Sequence, residues 1–84
     1  MYEIIFTRNA GKFIKSLPKA HKQRLKKVLE EIKNNPFSHP YKKIRGKTGL
    51  YRIRLGQYRL LYEVNEEQKT IIILKIDKRS KIYK

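Results

Sequence analysis

Arg52, Arg54 and Arg59 stand in a ribbon, Tyr51-Arg52-Ile53-Arg54-Leu55-Gly56-Gln57-Tyr58-Arg59-Leu60-Leu61-Tyr62, where cationic and apolar residues alternate on both sides of a glycine. Guanidinium groups do one kind of chemistry well. Their planar donor fork grips an oxyanion in two places and stabilises negative charge without giving up its own proton. Side chains two apart on a strand are about 7 Å apart, a spacing comparable with that of successive phosphates along an extended nucleic-acid strand. The alternation predicts a hairpin with one buried face. Gly56-Gln57 suits its two-residue loop as a type II′ turn. This register sets Leu55 opposite Tyr58, Arg54 opposite Arg59, Ile53 opposite Leu60 and Tyr51 opposite Tyr62. Tyr51, Ile53, Leu55, Tyr58, Leu60 and Tyr62 then share one face, and the three arginines share the other, open to solvent or a ligand. Like charges directly opposite one another are destabilising, by about 1 kcal/mol at roughly 5 Å even in a water-like dielectric. With no carboxylate expected opposite the arginines, their face is suited to meeting an anion.

The hairpin needs elements to cover its apolar face. Tyr2, Ile4 and Phe6 alternate with their neighbours and predict a first strand. Asn9 is the expected cap of a first helix, in which Ala10, Phe13, Ile14 and Leu17 keep helical spacing. Pro18 disfavours helical geometry at Leu17 and is well placed to open a second helix. There Leu25, Val28, Leu29 and Ile32 repeat the spacing, with His21 one turn earlier as a packing residue, and Asn34-Asn35-Pro36 ends it. Two helices joined this tightly predict an antiparallel helical hairpin. After a turn-rich loop over 36–41 come a brief extended segment around Lys43-Ile44-Arg45, the hairpin at about 50–55 and 58–64, a polar loop at 65–69, and a strand at 71–76 that is apolar on both sides. The expected fold is α+β: one domain spanning 1–84, β-α-α-β-β-β, with a mainly antiparallel four-stranded sheet packed against an N-terminal helical hairpin.

Charge narrows the partner. The 84 residues carry 22 Lys plus Arg against 7 Asp plus Glu, a net charge of +15. No acid lies between Glu31 and Glu63, while Lys33, Lys42, Lys43, Arg45, Lys47, Arg52, Arg54 and Arg59 fill that interval. Such an excess points to a polyanion, nucleic acid first. Without cysteine there are no disulfides or thiolate metal sites, and His21 and His39 cannot make a zinc site unaided. No Ser-His-Asp set, carboxylate pair or Gly-rich phosphate loop is visible. No metal or cofactor is expected, and any catalysis must use Arg, Lys and Tyr. No segment approaches membrane-spanning length, so the expectation is a cytoplasmic protein without a membrane partner. A second constellation, Asp77-Lys78-Arg79-Ser80-Lys81-Ile82-Tyr83, follows the last strand. Arg79 could add a fourth cation to the patch, and Tyr83 could stack on a base or exchange a proton.

These residues resemble the RelE/ParE toxin superfamily, its RelE branch above all. Phe6-x3-Ala10-x2-Phe13-x3-Leu17-Pro18 is similar to that family's opening strand and helix. Ile44-Arg45-Gly46 with the ribbon 51–62 is similar to its central signature, and Lys78-Arg79-x3-Tyr83 to its C-terminal one. The resemblance implies the toxin half of a type II toxin–antitoxin pair, and an endoribonuclease that cuts mRNA on the ribosome. Attack of a ribose 2′-OH on the neighbouring phosphate gives a 2′,3′-cyclic phosphate and a free 5′-OH. The resemblance further implies an acidic, RelB-like antitoxin in a hetero-oligomer. It puts Arg52, Arg54, Arg59, Arg79 and Tyr83 at the family's catalytic positions, and Lys42, Lys43, Arg45, Lys47, Lys78 and Lys81 are expected to contact RNA. Positions 52 and 54 are lysines in the best-known branch. Arginine holds its proton more firmly than lysine, so these two are better suited to holding phosphate than to removing a proton. A ParE-type gyrase inhibitor, needing no catalysis, and a toxin that only binds antitoxin or RNA are the alternative readings.

Overall fold

In a computed structural model, residues 1–78 are described. Along the chain they form β1 (Glu3–Phe6), α1 (Arg8–Ser16), α2 (Lys19–Asn34), β2 (Lys42–Lys43), β3 (Leu50–Leu55), β4 (Tyr58–Asn65) and β5 (Thr70–Lys78). The sheet has five strands in the order β1-β5-β4-β3-β2. The expected four-stranded sheet gains a strand because Lys42 and Lys43 pair with Arg52 and Tyr51, turning the extended segment foreseen around 43–45 into an edge strand slightly earlier. The sheet is also mixed. β1 runs parallel to β5, with Glu3 opposite Thr70 and Phe6 opposite Ile73, whereas the other neighbours are antiparallel. Two helices lie between β1 and the rest of the sheet, long enough to bring the chain back for a parallel pairing.

Both helices cover one face of the sheet. Ala10 and Leu17 from the α1 region and Leu25, Val28 and Ile32 from α2 pack on Ile53, Leu55, Tyr58, Leu60, Tyr62, Ile71, Ile73 and Ile76. The expected helical hairpin is corrected here. The helices make their main backbone approaches to the sheet, α1 to β5 and α2 to β1, rather than to each other. The reason is the junction: Leu17 is extended (φ −68°, ψ 144°) and Pro18 follows with ψ 151°, so the axis changes direction and each helix finds its own strand. His21 packs edge-on against Tyr58, ring centroids 5.0 Å apart.

The cap of α1 is Thr7, not Asn9. Its hydroxyl accepts from the Ala10 amide (3.2 Å) and donates to the Leu74 carbonyl (2.9 Å), and its amide donates to the Ile73 carbonyl (3.1 Å). Thr7 ties the start of the helix to β5 at the point where that strand is irregular. At the other end of the helical pair, Asn35 closes α2. Its Oδ1 accepts from the Phe37 amide, and the Tyr62 hydroxyl donates to the Pro36 carbonyl at 3.2 Å. Burial pushes the Tyr62 phenol well above its ordinary pKa, with the nearby Tyr41 and Tyr51 phenols adding to the shift.

Candidate nucleic-acid interface

The hairpin register is the one foreseen: Tyr51 with Tyr62, Ile53 with Leu60, Arg54 with Arg59, Leu55 with Tyr58. Gly56 takes φ +63°, and Gln57 does not take a positive φ. A type I′ turn needs positive φ at both loop positions, so the glycine-first turn fits type II′. Ile53, Leu60 and Tyr62 are fully buried beneath the helices. The arginines therefore project from the face that no helix covers.

That face has two registered rows. One is Arg54–Arg59–Asp77 across β3, β4 and β5, and the other is Lys42–Arg52–Leu61–Lys75 across β2 to β5. A concavity of about 460 Å³ lies over them, with Arg52, Arg59, Lys75 and Asp77 as its polar lining and Ile44, Leu50 and Leu61 as its apolar floor. Two pairs of cations stand directly opposite each other, Arg54 with Arg59 and Lys42 with Arg52.

Two expectations about this face are corrected. The arginines are not uniformly open to solvent: Arg54 is exposed and Arg52 half-buried, but Arg59 is only 6% exposed. Nor are they without a carboxylate, because Asp77 sits opposite Arg59 on the next strand. Asp77 forms an ion pair with Lys75, Nζ to Oδ2 3.0 Å. The cause is a β-bulge, where the β4–β5 register shifts between Leu61 and Tyr62. Ile71 and Ile73 point into the core, and strict alternation would send Lys75 and Asp77 there too. The extra residue, Leu74, flips the remainder of the strand. Ile76 is thereby buried at 2% exposure, and Lys75 and Asp77 reach the arginine face. The Leu74 carbonyl, where the ladder is interrupted, is the one that accepts from Thr7.

The other foreseen residues are distributed around this centre. Lys42 belongs to the open face through its register with Arg52, while Lys43 pairs with Tyr51 and Lys78 with Tyr58, on the helix side. Arg45 and Lys47 are exposed in the turn between β2 and β3. Arg79, Lys81 and Tyr83 lie outside the described residues. Lys75, the apolar floor and the placement of Asp77 opposite Arg59 escaped the sequence reading, which had Asp77 only as the start of the second constellation. The only hint of them was the broken alternation at Leu74-Lys75-Ile76. Among the described residues no cluster of His, Cys, Asp and Glu could hold a metal ion, and no helix is long and apolar enough to cross a membrane. The arrangement can grip phosphate from exposed and sheltered sides at once. Arg59 is held in place by its burial, and Arg54 is free to follow a ligand.

Comparison with known proteins gives a consistent picture. Residues 4–83 match the family model described as the ParE toxin of the type II toxin–antitoxin system parDE. Toxin RelE3 of Methanocaldococcus jannaschii is 35% identical over 96% of the chain and 94% of its own length. Toxin RelG of Mycobacterium tuberculosis is 31% identical over 99% and 97%. Among solved structures, the archaeal RelE-RelB complex from Pyrococcus horikoshii superposes with a TM-score of 0.83 at 35% identity, covering 93% of this chain and 94% of that one. The isolated RelE toxin of E. coli gives 0.84 at 31% identity, covering 99% and 92%.

Proposed function

The chain belongs to the RelE/ParE superfamily of type II toxins, and from that premise we propose that it is an endoribonuclease that cleaves mRNA on the ribosome and is neutralised by an acidic RelB-like antitoxin. Its place of action is then the cytoplasm. One observation carries the reading. A concave sheet face gathers Arg52 and Arg59 into a cationic centre, with Arg54 set directly opposite Arg59 across β3 and β4.

In the proposed reaction the ribose 2′-oxygen bonds to the adjacent phosphorus and the bond from phosphorus to the 5′-oxygen breaks. The 2′-hydroxyl gives up a proton, and the departing 5′-oxygen takes one. The products are a 2′,3′-cyclic phosphate and a 5′-hydroxyl. Negative charge builds on the phosphorane oxygens, and preorganised cations lower that barrier most. Arg59, sheltered and fixed, suits this role, with Arg52 and Arg54 holding the flanking phosphate. In-line attack also needs the RNA bent and held. Arginine retains its proton, so of the five residues put at the catalytic positions Tyr83 is the one suited to exchange a proton, and it can also stack on a base.

Controlled expression with mapping of mRNA 5′ ends tests this. Cuts within translated messages are expected, reduced about 10²-fold by Arg54→Gln. Arg54 is the cleaner probe because it is exposed, whereas truncating the buried Arg59 also disturbs packing. The ParE identity of the matching family model favours one rival reading, inhibition of DNA gyrase. Growth arrest with lost supercoiling and no mRNA cuts would establish that rival instead. Neither arrest nor cuts would leave a protein that only binds.

A further inference from the structure

Four rings run from the core to the surface at the β2 edge. Tyr62 is fully buried, Tyr51 and Phe37 are half-buried, and Tyr41 is 42% exposed. Their centroids are 5.8 Å apart for Tyr51–Tyr62, 5.4 Å for Tyr41–Tyr51 and 5.3 Å for Phe37–Tyr41. Tyr41 meets Tyr51 at 86° and Phe37 at 50°. Neither neighbour lies parallel to it, so the ring is braced from the side without being stacked.

The position is as informative as the ring. Tyr41 immediately precedes β2, an edge strand whose only strand partner among the described residues is β3. Lys42 shares the open face with Arg52, and Lys43 lies with Tyr51 on the other side. A polyanion leaving the arginine concavity over this edge meets Lys42, then Lys43 and the Tyr41 ring. The neighbouring cavity, lined by Phe37 and Tyr51 together with Glu63, Glu66 and Glu67, does not include Tyr41, and its carboxylates disfavour phosphate there. Cations on both faces of a sheet edge beside an unstacked ring are the parts of a single-strand binding platform.

We infer that Tyr41 is a base-stacking residue for the stretch of single-stranded RNA that leaves the arginine groove across the β2 edge, with Lys42 and Lys43 holding its phosphates. The inference rests on the RNA reading above and adds to it a contact remote from the scissile phosphate. Because every base has a π-face, the contact raises affinity with little sequence preference.

The test uses the full chain and two fluorescent single-stranded RNAs of equal length, one with all its bases and one with abasic sites over the segment that flanks the groove. Tyr41→Leu keeps an apolar contact with Phe37 and Tyr51 but has no π-face, and Tyr41→Trp restores one. Expected is a loss of about 5- to 100-fold in affinity of Tyr41→Leu for the intact RNA, no change for the abasic RNA, and recovery in Tyr41→Trp. Equal affinities of wild type and Tyr41→Leu for intact RNA overturn the stacking role and leave the RNA reading standing. Equal losses on both RNAs also overturn it, because they mark a structural effect. Unchanged RNA affinity with weakened antitoxin binding assigns the ring to a protein partner instead. If wild type binds neither RNA, the stacking inference falls, while cleavage on the ribosome is judged separately by the mapping of mRNA 5′ ends.

Discussion

Arg54 and Arg59 face each other across β3 and β4, and the two are not equivalent. Arg59 is sheltered to 6% exposure beside the Asp77 row position, while Arg54 is exposed. Their repulsion should therefore be relieved at the exposed partner without disturbing the core. Arg54→Gln is expected to raise stability by about 0.5 kcal/mol at low salt. The gain should vanish near 1 M salt, where exposed charges are screened within roughly 3 Å. Urea denaturation at the two salt concentrations checks it. Under the proposed function the same substitution is expected to lower cleavage, so one residue separates what folding tolerates from what function uses. Equal or lower stability at low salt would show that the cationic pair carries no folding cost.

Among the elements, β5 does most to build the site, and it does so through an irregularity. The bulge at Leu74 keeps Ile76 in the core and delivers Lys75 and Asp77 to the open face. Thr7 supports it with a hydrogen bond to the Leu74 carbonyl while capping α1. Thr7→Val retains the shape and removes both interactions, and should cost about 2 kcal/mol, a cap plus a carbonyl left short of a partner. Asn9→Ala, at a position inside α1, should be neutral or slightly stabilising, because alanine is the better helix former. Thermal melts of the two variants, side by side, distinguish the observed cap from the one foreseen. Gly56 bears a similar local demand. At φ +63°, with Arg24 Nη1 3.3 Å from where a Cβ would stand, the hairpin turn has little use for any other residue.

At the scale of the whole molecule, stability is linked to the proton on Tyr62. Its phenol is fully buried, hydrogen-bonded to Pro36 and raised above its ordinary pKa. The unfolded chain releases that proton from about pH 10 upward, whereas the folded chain still holds it. Above about pH 10 the unfolded state thus binds fewer protons, and stability falls as pH rises. Tyr62→Phe should cost about 1 kcal/mol at pH 7 through the lost hydrogen bond, yet show a shallower decline between pH 9 and 11. Chemical denaturation across that range reads both effects. The +15 charge acts at the same scale. It opposes compaction in the free toxin and favours an acidic partner, so antitoxin binding should stabilise the fold by mass action.

The hairpin, its turn, its register and its division into an apolar and a cationic face were legible in residues 51–62, because strand alternation and turn chemistry are local. The ends of both helices around Leu17-Pro18 and Asn34-Asn35-Pro36 were legible for the same reason. Long-range contacts decided the rest. The parallel docking of β1 on β5, the helices' preference for the sheet over each other, and the bulge that sets Asp77 opposite Arg59 depend on which strand lies beside which. Alternation within one segment does not contain that information. The arginines could be read from the chain as an anion-binding set. Only the packed sheet made one of them sheltered, one exposed and one half-buried, and so different in what each can do.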